Sequence, residues 1–155
     1  MAIQRIWNEV VKAGDAFPGE TPLSLQECRG YFASQSLTAV AELDGRVQGL
    51  YILHPNNIGR AGHIANASYA VSSEARGRGV GEALVRHSLS QLRAHGFAGL
   101  QFNAVVSTNK VAIALYEKLG FTKVGTIPGG FRLPDDSFTD IFIYFHPAPE
   151  PEKKK

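Results

Sequence analysis

A strand that continues directly into a glycine-rich turn and a helix constrains the fold of this chain more than any other feature. The segment HIANASYAV at 63–71 has a strand-like pattern, and ARGRGVGEAL at 75–84 places three glycines and two arginines ahead of a helical pattern. We expect this helix over Glu82–His95, ended by Gly96, and a further strand over 99–106. A strand, a helix and a strand in this order predict a parallel pair at the centre of a mixed sheet.

The flanking segments predict the other elements of a mixed α/β fold. The pair Asp44-Gly45 between two strand-like runs is typical of a β-hairpin. Ser107, Thr108 and Asn109 form a capping cluster in front of a helix. In chain order, the further elements expected are helices over 3–13 and 23–35, strands over 37–43 and 46–53, a helix over 110–119, and strands over 121–127 and 139–145 separated by a loop over 128–137.

Composition and charge narrow the class of protein. The 155 residues, 44% of them hydrophobic, suffice for one domain with a full core, expected over 1–147 and followed by a charged, proline-rich, disordered tail over 148–155. A net charge of +2 without a basic stripe argues against a nucleic-acid partner. The single cysteine, Cys28, is expected to be a core thiol in a reducing cytoplasm. With no apolar run of about 20 residues, we expect a soluble protein with no membrane partner.

The glycine-rich turn is suited to binding a phosphate group. The first backbone N–H groups of a helix have no intrahelical partner and carry partial positive charge, and glycines let an anion approach them closely. Two familiar phosphate motifs are excluded, because the turn lacks GxxxxGK[ST] and its glycines follow the spacing GxGxG instead of GxGxxG. The ligand is therefore expected to be a phosphate compound outside those two nucleotide-binding classes.

Two sequence blocks together resemble a known family. The pattern R/Q-x-x-G-x-G/A is present from Arg76 to Gly81, and N-x-x-A-x-x-L-Y-E-x-x-G-F runs from Asn109 to Phe121. In this order, with a strand between them, they make residues 35–146 similar to the GCN5-related N-acetyltransferases (GNAT). The resemblance implies a mixed twisted sheet of about six strands flanked by four helices. The family's usual first strand is expected to be missing, which would leave the strand at 37–43 as an exposed edge.

The resemblance also implies a cosubstrate and the residues that bind it. Acetyl-CoA would bind without a metal, its pyrophosphate on the turn and its thioester carbonyl on the backbone N–H of Val71, which would stabilise the oxyanion. At least one arginine of the turn would add charge, although both could instead only solvate it. The turn residues assigned to the cofactor are Arg76, Gly77, Arg78, Gly79, Val80 and Gly81.

The second block implies roles for two residues on one helix face. Asn109 and Tyr116 are seven positions apart, close to two helical turns, with the small Ala112 between them. The resemblance assigns Tyr116 as the general acid that protonates the leaving thiolate and Asn109 as a partner of the pantetheine arm. A phenol suits the first role because its pKa of about 10 keeps it protonated at pH 7. The alternative is that Tyr116 is a packing aromatic residue.

The residues that could contact the acceptor amine, or take its proton, are less clearly indicated by the sequence than those assigned to the cosubstrate. Asn66 and Asn103 are polar residues in otherwise apolar strands, so each either caps a neighbouring backbone group or contacts the acceptor. His63, Glu42 and Tyr69 are candidate general bases, each with an ordinary structural explanation, and a water chain is an equal alternative.

Three segments narrow the resemblance further. The stretches HIANASYAV, QFNAVVSTN and PGGFRLPD resemble a subgroup that includes fungal acetyltransferases acting on proline analogues such as azetidine-2-carboxylate, in which an Asn at the place of Asn103 is implicated in holding the acceptor. This implies direct transfer to a small amino-acid-like amine, without a covalent step on Cys28. The alternatives are a protein N-acetyltransferase, a non-catalytic coenzyme A module, and an arginine-glycine contact with nucleic acid. A homodimer is expected from the resemblance alone.

Overall fold

Within residues 1–150, six strands form one mixed sheet with four α-helices, as the sequence predicts. The computed structural model describes residues 1–150. In chain order, the elements are α1 (Ala2–Ala13), α2 (Leu25–Ala33), β1 (Leu37–Leu43), β2 (Arg46–Pro55), β3 (Ile64–Val71), α3 (Val80–Gln91), β4 (Gly99–Val106), α4 (Lys110–Lys118), β5 (Thr122–Arg132) and β6 (Phe138–Pro147). The order in the sheet is β1-β2-β3-β4-β6-β5, and β3 and β4 form the predicted parallel pair.

The predicted hairpin joins β1 to β2. Asp44 and Gly45 have φ angles of 55° and 75°, which is the backbone geometry of a tight turn whose twist matches the flanking strands. Within residues 1–150 no strand precedes α1, and β1 lies at the edge of the sheet, as expected. None of the helices in this part of the chain is both long and apolar enough to cross a bilayer.

The sheet splits at its centre. β3 and β4 pair at Ile64–Gly99 and Ala65–Leu100, and then the two strands diverge. β4 turns toward β6, with a register shift between Phe102 and Val105. Because parallel strands point the same way, the gap opens toward the carboxyl ends of β3 and β4. This gap is the main architectural feature that positions the site.

Both faces of the sheet are covered, so the strands carry two cores. Along β2, Tyr51 and Leu53 pack in the core under α3 and α4, whereas Leu50 and Ile52 pack in the core under α1 and α2. This division follows from the alternation of side chains along a strand. Cys28 is 0% exposed in the second core, which confirms the prediction of a core thiol.

Several predicted boundaries differ from the structure by one or two residues, and the larger differences at α3 and β5 bear on the fold. α3 begins at Val80, two residues before the predicted start, and its predicted last turn is a separate 3₁₀ turn at Arg93–His95. β5 continues through five residues predicted to be loop, because a register shift between Ile127 and Phe131 accommodates two glycines. The N–H of Gly129 donates to Oδ1 of Asp140 at 2.9 Å, so the pair stays in the sheet.

The C-terminal segment continues along the protein beyond β6. Ala148 is buried, and its N–H donates to the carbonyl of Ala98 at 2.8 Å. The Arg93 guanidinium donates to the carbonyl of Pro149 at 2.8 Å. Residues 151–155 of the predicted tail lie outside the described residues.

Candidate active site

A cavity of about 1030 Å³ occupies the gap between β3 and β4. On one side it is lined by α3, α4 and the glycine-rich turn, and on the other by the end of α1 and the connection to α2. Ten of the eleven site residues predicted from the sequence line it, namely Asn66, Val71, Arg76, Gly77, Gly79, Val80, Gly81, Asn103, Asn109 and Tyr116. The exception is Arg78.

The glycine-rich turn presents unpaired amides to this cavity. Gly79 is the N-cap of α3 with a φ of 79°, and a side chain there would meet nothing within 4 Å. The first helical bond runs from the N–H of Ala83 to the carbonyl of Gly79 at 3.1 Å. The N–H groups of the first turn of α3 therefore have no intrahelical acceptor, and the residues that carry them line the cavity. The structure therefore places unpaired backbone donors beside the cavity, at the turn where the sequence predicts a phosphate site.

The two arginines of the turn differ in their surroundings. Arg76 lines the cavity. Arg78 instead lies 3.3 Å from the carboxylate of Asp44, in the exposed β1–β2 turn. Lys110, at the start of α4, also lines the cavity and was not singled out from the sequence. Arg76 and Lys110 are therefore the cationic side chains that line the cavity within residues 1–150.

An ion-pair cluster links α3 to α4 at the rim of the cavity. Glu82, in the first turn of α3, accepts a hydrogen bond from Nζ of Lys118 at 2.5 Å and one from Arg86 at 3.3 Å. These two cations lower the pKa of the Glu82 carboxyl, which is therefore charged at neutral pH. Its negative charge is balanced locally, so it opposes anion binding by the turn less than an isolated carboxylate would.

The backbone of Val71 faces the gap. Ser72 donates its N–H to Gln48 at 2.8 Å and Asn56 donates to Ile64 at 2.8 Å, so the even-numbered residues of β3 bond to β2. Because backbone groups alternate along a strand, the N–H of Val71 points the other way, toward the diverging β4. This is the orientation that a donor to a thioester oxygen in the cavity requires.

Asn109 and Tyr116 both reach the cavity from α4. The Oδ1 atom of Asn109 accepts the N–H of Ala112 at 3.3 Å, which caps the helix and leaves the Nδ2 group available. Tyr116 is half-buried, with its ring centroid 4.6 Å from that of Phe102. Burial raises the pKa of the Tyr116 hydroxyl well above its ordinary value, so this residue keeps its proton at neutral pH. Tyr116 therefore both packs and lines the cavity.

The amides on the strands form a bridge across the gap. Oδ1 of Asn56 accepts from Nδ2 of Asn66 at 2.9 Å and from Nδ2 of Asn103 at 2.6 Å. Contrary to expectation, Asn103 is exposed, because β4 has left β3 at this point, and both amides bond to a side chain and not to a neighbouring backbone group. Asn56 was missed, since it lies in a segment with ordinary loop composition.

The predicted general bases are poorly placed. His63 and Glu42 are exposed and do not line the cavity. Tyr69 lines it, but its hydroxyl is 2.7 Å from Oγ of Ser88, and burial raises its pKa well above 10. His54, near the end of β2, does line the cavity and was not considered. Sequence spacing gave no indication of it, because its position depends on the pairing of β2 with β3.

The wall opposite the glycine-rich turn is mostly apolar. It is formed by Val10, Ala13, Asp15, Ala16, Phe17 and Pro18. Asp15 is exposed there and forms no ion pair with any residue in 1–150. The described residues contain no group of three or more His, Cys, Asp or Glu that could hold a metal ion.

Comparisons with known proteins agree on one family. A model described as the acetyltransferase (GNAT) family matches residues 3–121. N-acetyltransferase aca1 of Schizosaccharomyces pombe is 28% identical over 163 residues, covering 94% of this chain and 78% of the relative. A GCN5-related N-acetyltransferase structure from Kribbella flavida is 36% identical, with a TM-score of 0.85 over 94% of this chain and 90% of that chain.

A further similar structure contains a ligand. It is a GNAT superfamily phosphinothricin acetyltransferase from Sinorhizobium meliloti in complex with acetyl-CoA. This protein is 26% identical to the chain, with a TM-score of 0.87 over 99% of this chain and 85% of its own.

Proposed function

Since the chain belongs to the acetyltransferase (GNAT) family and is an acetyl-CoA-dependent acyltransferase, we propose that it acetylates the amine of a small, amino-acid-like acceptor. The observation that carries the proposal is the cavity that passes through the split sheet. It joins a side rich in unpaired backbone donors to a side lined by amides and one carboxylate. Two substrates can therefore meet in the gap from opposite faces.

The described residues fit acetyl-CoA. The unpaired amides of the α3 N-terminus and the Arg76 guanidinium would hold the pyrophosphate. Nδ2 of Asn109 would hydrogen-bond the pantetheine arm, and the N–H of Val71 would polarise the thioester carbonyl. Open space at Gly79 is a further support, because a phosphate needs close approach to the backbone there.

The transfer proceeds by direct attack. The neutral amine forms a bond to the thioester carbonyl carbon, and the N–H of Val71 stabilises the negative charge on the oxygen. As the tetrahedral intermediate collapses, the carbon–sulfur bond breaks and Tyr116 gives its proton to the leaving thiolate. The nitrogen, which became cationic on attack, releases its extra proton through water and forms the neutral amide, and this proton restores the Tyr116 hydroxyl. Burial keeps this phenol protonated at neutral pH, which is the state that a proton donor needs. Cys28 is 0% exposed and outside the cavity, so no acetyl-cysteine intermediate is required.

A small acceptor suits the other side of the cavity. N–H groups of the Asn66 and Asn103 amides, which Asn56 positions, can donate to a carboxylate, and Asp15 attracts a cationic amine. The name of the Sinorhizobium relative specifies a small-molecule acceptor, phosphinothricin. The finer assignment to proline analogues such as azetidine-2-carboxylate, the cytoplasmic location and the homodimer stay predictions.

Thiol release from acetyl-CoA across an amine panel tests the proposal. The panel contains azetidine-2-carboxylate, proline, phosphinothricin, other free amino acids, and peptides with a free N-terminus or an internal lysine. We expect release with at least one free amino acid or analogue, reduced strongly in Tyr116→Phe. Release with peptides alone would identify a protein N-acetyltransferase instead, and tight binding of coenzyme A with no release for any amine would contradict the proposal.

A further inference from the structure

His54 lies at the side of the cavity where the acceptor is proposed to bind. It is half-buried near the end of β2 and pairs across the strands with Asn66. Directly opposed residues of an antiparallel pair have their side chains on the same face, close together. His54 therefore stands beside the amide bridge formed by Asn56, Asn66 and Asn103.

One hydrogen bond sets the protonation pattern of this imidazole. Nδ1 of His54 is 3.0 Å from the carbonyl oxygen of Pro55. A carbonyl oxygen only accepts, so Nδ1 must carry the hydrogen. In the neutral ring the other nitrogen, Nε2, then has a free lone pair. Among residues 1–150, no protein group is hydrogen-bonded to Nε2.

From this geometry we propose that His54 is the general base of the reaction, which rests on the proposed function. Amines of amino acids are mostly cationic at neutral pH and cannot attack a thioester until they lose a proton. Nε2 takes that proton, so the acceptor becomes a neutral amine and His54 becomes an imidazolium. The amine then attacks the thioester as described above, and the imidazolium returns its proton to water.

A second cavity gives that proton a way out. It has a volume of about 670 Å³ and is lined by His54, Asn56, Tyr31 and Gln35, among others. His54 thus lies between this solvent-open cavity and the central one. A base in this position can exchange its proton with water without passing it through the site of acetyl transfer.

The other titratable groups around His54 are less suited to this role. The charged and titratable side chains that share its two cavities are Asp15, Tyr31, Tyr69, Arg76, Glu82, Lys110 and Tyr116. Burial raises the pKa of all three tyrosines, so they remain protonated at neutral pH. Glu82 is held by Lys118 and Arg86 at the far rim. Asp15 is the remaining competitor, and the experiment includes it.

The test compares pH profiles of kcat/KM for two kinds of acceptor. In His54→Asn the side-chain amide can still donate to the Pro55 carbonyl, but it cannot take a proton. For the best acceptor of the amine panel, we expect kcat/KM at pH 7 to fall about 100-fold. The deficit should shrink as pH rises, because more of the acceptor is then neutral in solution. Hydroxylamine is already neutral at pH 7, so kcat/KM for this acceptor should fall little in His54→Asn.

Controls separate this idea from its alternatives. His63→Asn changes an exposed imidazole outside the cavity and should keep the wild-type profile, and Asp15→Asn should keep the pH dependence. If kcat/KM of His54→Asn is reduced by the same factor at every pH, His54 has a packing role and the proposal is overturned. The same conclusion follows if the reduction is as large with hydroxylamine as with the amino-acid acceptor. Nitrogen-15 spectra showing the hydrogen on Nε2 in the neutral ring would also overturn the proposal.

The experiment distinguishes failure of the proposed function from failure of the general-base assignment. If wild-type protein releases no thiol with any amine, the small-acceptor assignment is wrong, and the role of His54 falls with it. If wild-type protein is active and His54→Asn matches it at every pH, only the general-base assignment is wrong. Affinity for acetyl-CoA, measured by calorimetry, should be unchanged in His54→Asn in either case.

Discussion

The two faces of the split sheet build their halves of the site in different ways. On the α3/α4 face the site consists largely of backbone groups from one continuous segment, the turn at 76–81 and the first turn of α3. On the α1/α2 face it consists of side chains from separate segments, with His54 from β2, Asn66 from β3 and Asn103 from β4. Asn56, from the loop after β2, holds the two amides by hydrogen bonds.

This difference has a physical reason. A diphosphate is the same in every reaction of acetyl-CoA, and backbone amides at a helix N-terminus bind it without depending on particular side chains. An acceptor must be distinguished from other amines, which requires side-chain donors and charges in a defined arrangement. Substitutions on the cofactor face should therefore change coenzyme A affinity, and those on the acceptor face should change acceptor kinetics.

The largest effect is expected from Gly79→Glu, which places a negative charge at the proposed diphosphate site. Repulsion of about 4 kcal/mol between charges some 4 Å apart would weaken coenzyme A binding about 1000-fold. Gly45→Glu is a matched control, because Gly45 also has positive φ and open space but lies outside the cavity. Both variants should lose similar stability. If calorimetry gives equal coenzyme A affinities for Gly79→Glu and Gly45→Glu, the turn does not bind the diphosphate.

Tyr116→Phe tests the proposed proton donor, which lies between the cofactor half and the acceptor half of the site. Loss of the proton donor should lower kcat about 100-fold and leave affinity for acetyl-CoA unchanged. Because its raised pKa keeps the phenol protonated, wild-type kcat should show no loss from Tyr116 ionisation up to pH 9. Tyr51→Phe also removes a hydroxyl, one that lies 2.6 Å from Nδ1 of His87 outside the cavity, and should keep kcat. An unchanged kcat in Tyr116→Phe would leave water as the donor.

Asn56→Ala should affect the acceptor face alone. Asn56 is a positioning residue, because its oxygen fixes the amides of Asn66 and Asn103. We expect the acceptor KM to rise about 10-fold with little change in kcat and none in coenzyme A affinity. Asn57→Ala, in the same loop but without a hydrogen bond to Asn66 or Asn103, should behave as wild type.

A double-mutant cycle sharpens this prediction. Asn103→Ala removes the same hydrogen bond from its other end, so Asn56→Ala/Asn103→Ala should raise KM by less than the product of the two single effects. Strictly multiplicative effects would mean that Asn56 does not act through Asn103.

The smallest expected effect is a difference in coenzyme A affinity between variants of the two arginines of the turn. Arg76→Ala should weaken coenzyme A binding about fivefold, the size expected for an exposed charge pair. Arg78→Ala should leave the affinity nearly unchanged, because its guanidinium faces Asp44 outside the cavity. Titration at low and high salt checks this, since the Arg76 contribution should decrease as salt screens it. A larger loss in Arg78→Ala would contradict the assignment.

Most of the fold could be predicted because its determinants are local. Asp44-Gly45 specifies a tight turn by itself, Gly96 ends its helical segment with a φ of 81°, and Asn109 caps α4. The extension of β5 could not be predicted in this way. Gly129 and Gly130 favour a turn by composition, and they stay in the sheet because β6 supplies a partner, Asp140.

The sequence by itself determined the elements, the glycine-rich turn proposed to bind the diphosphate, and the positions of Asn109 and Tyr116 on one helix, because backbone geometry and helical spacing depend on neighbours along the chain. Only the tertiary structure decided that Arg76 and not Arg78 lines the cavity, that Asn56 joins Asn66 to Asn103, and that His54 faces the same space. These contacts depend on strand register and on the divergence of β3 from β4, which are set by the packing of the whole sheet.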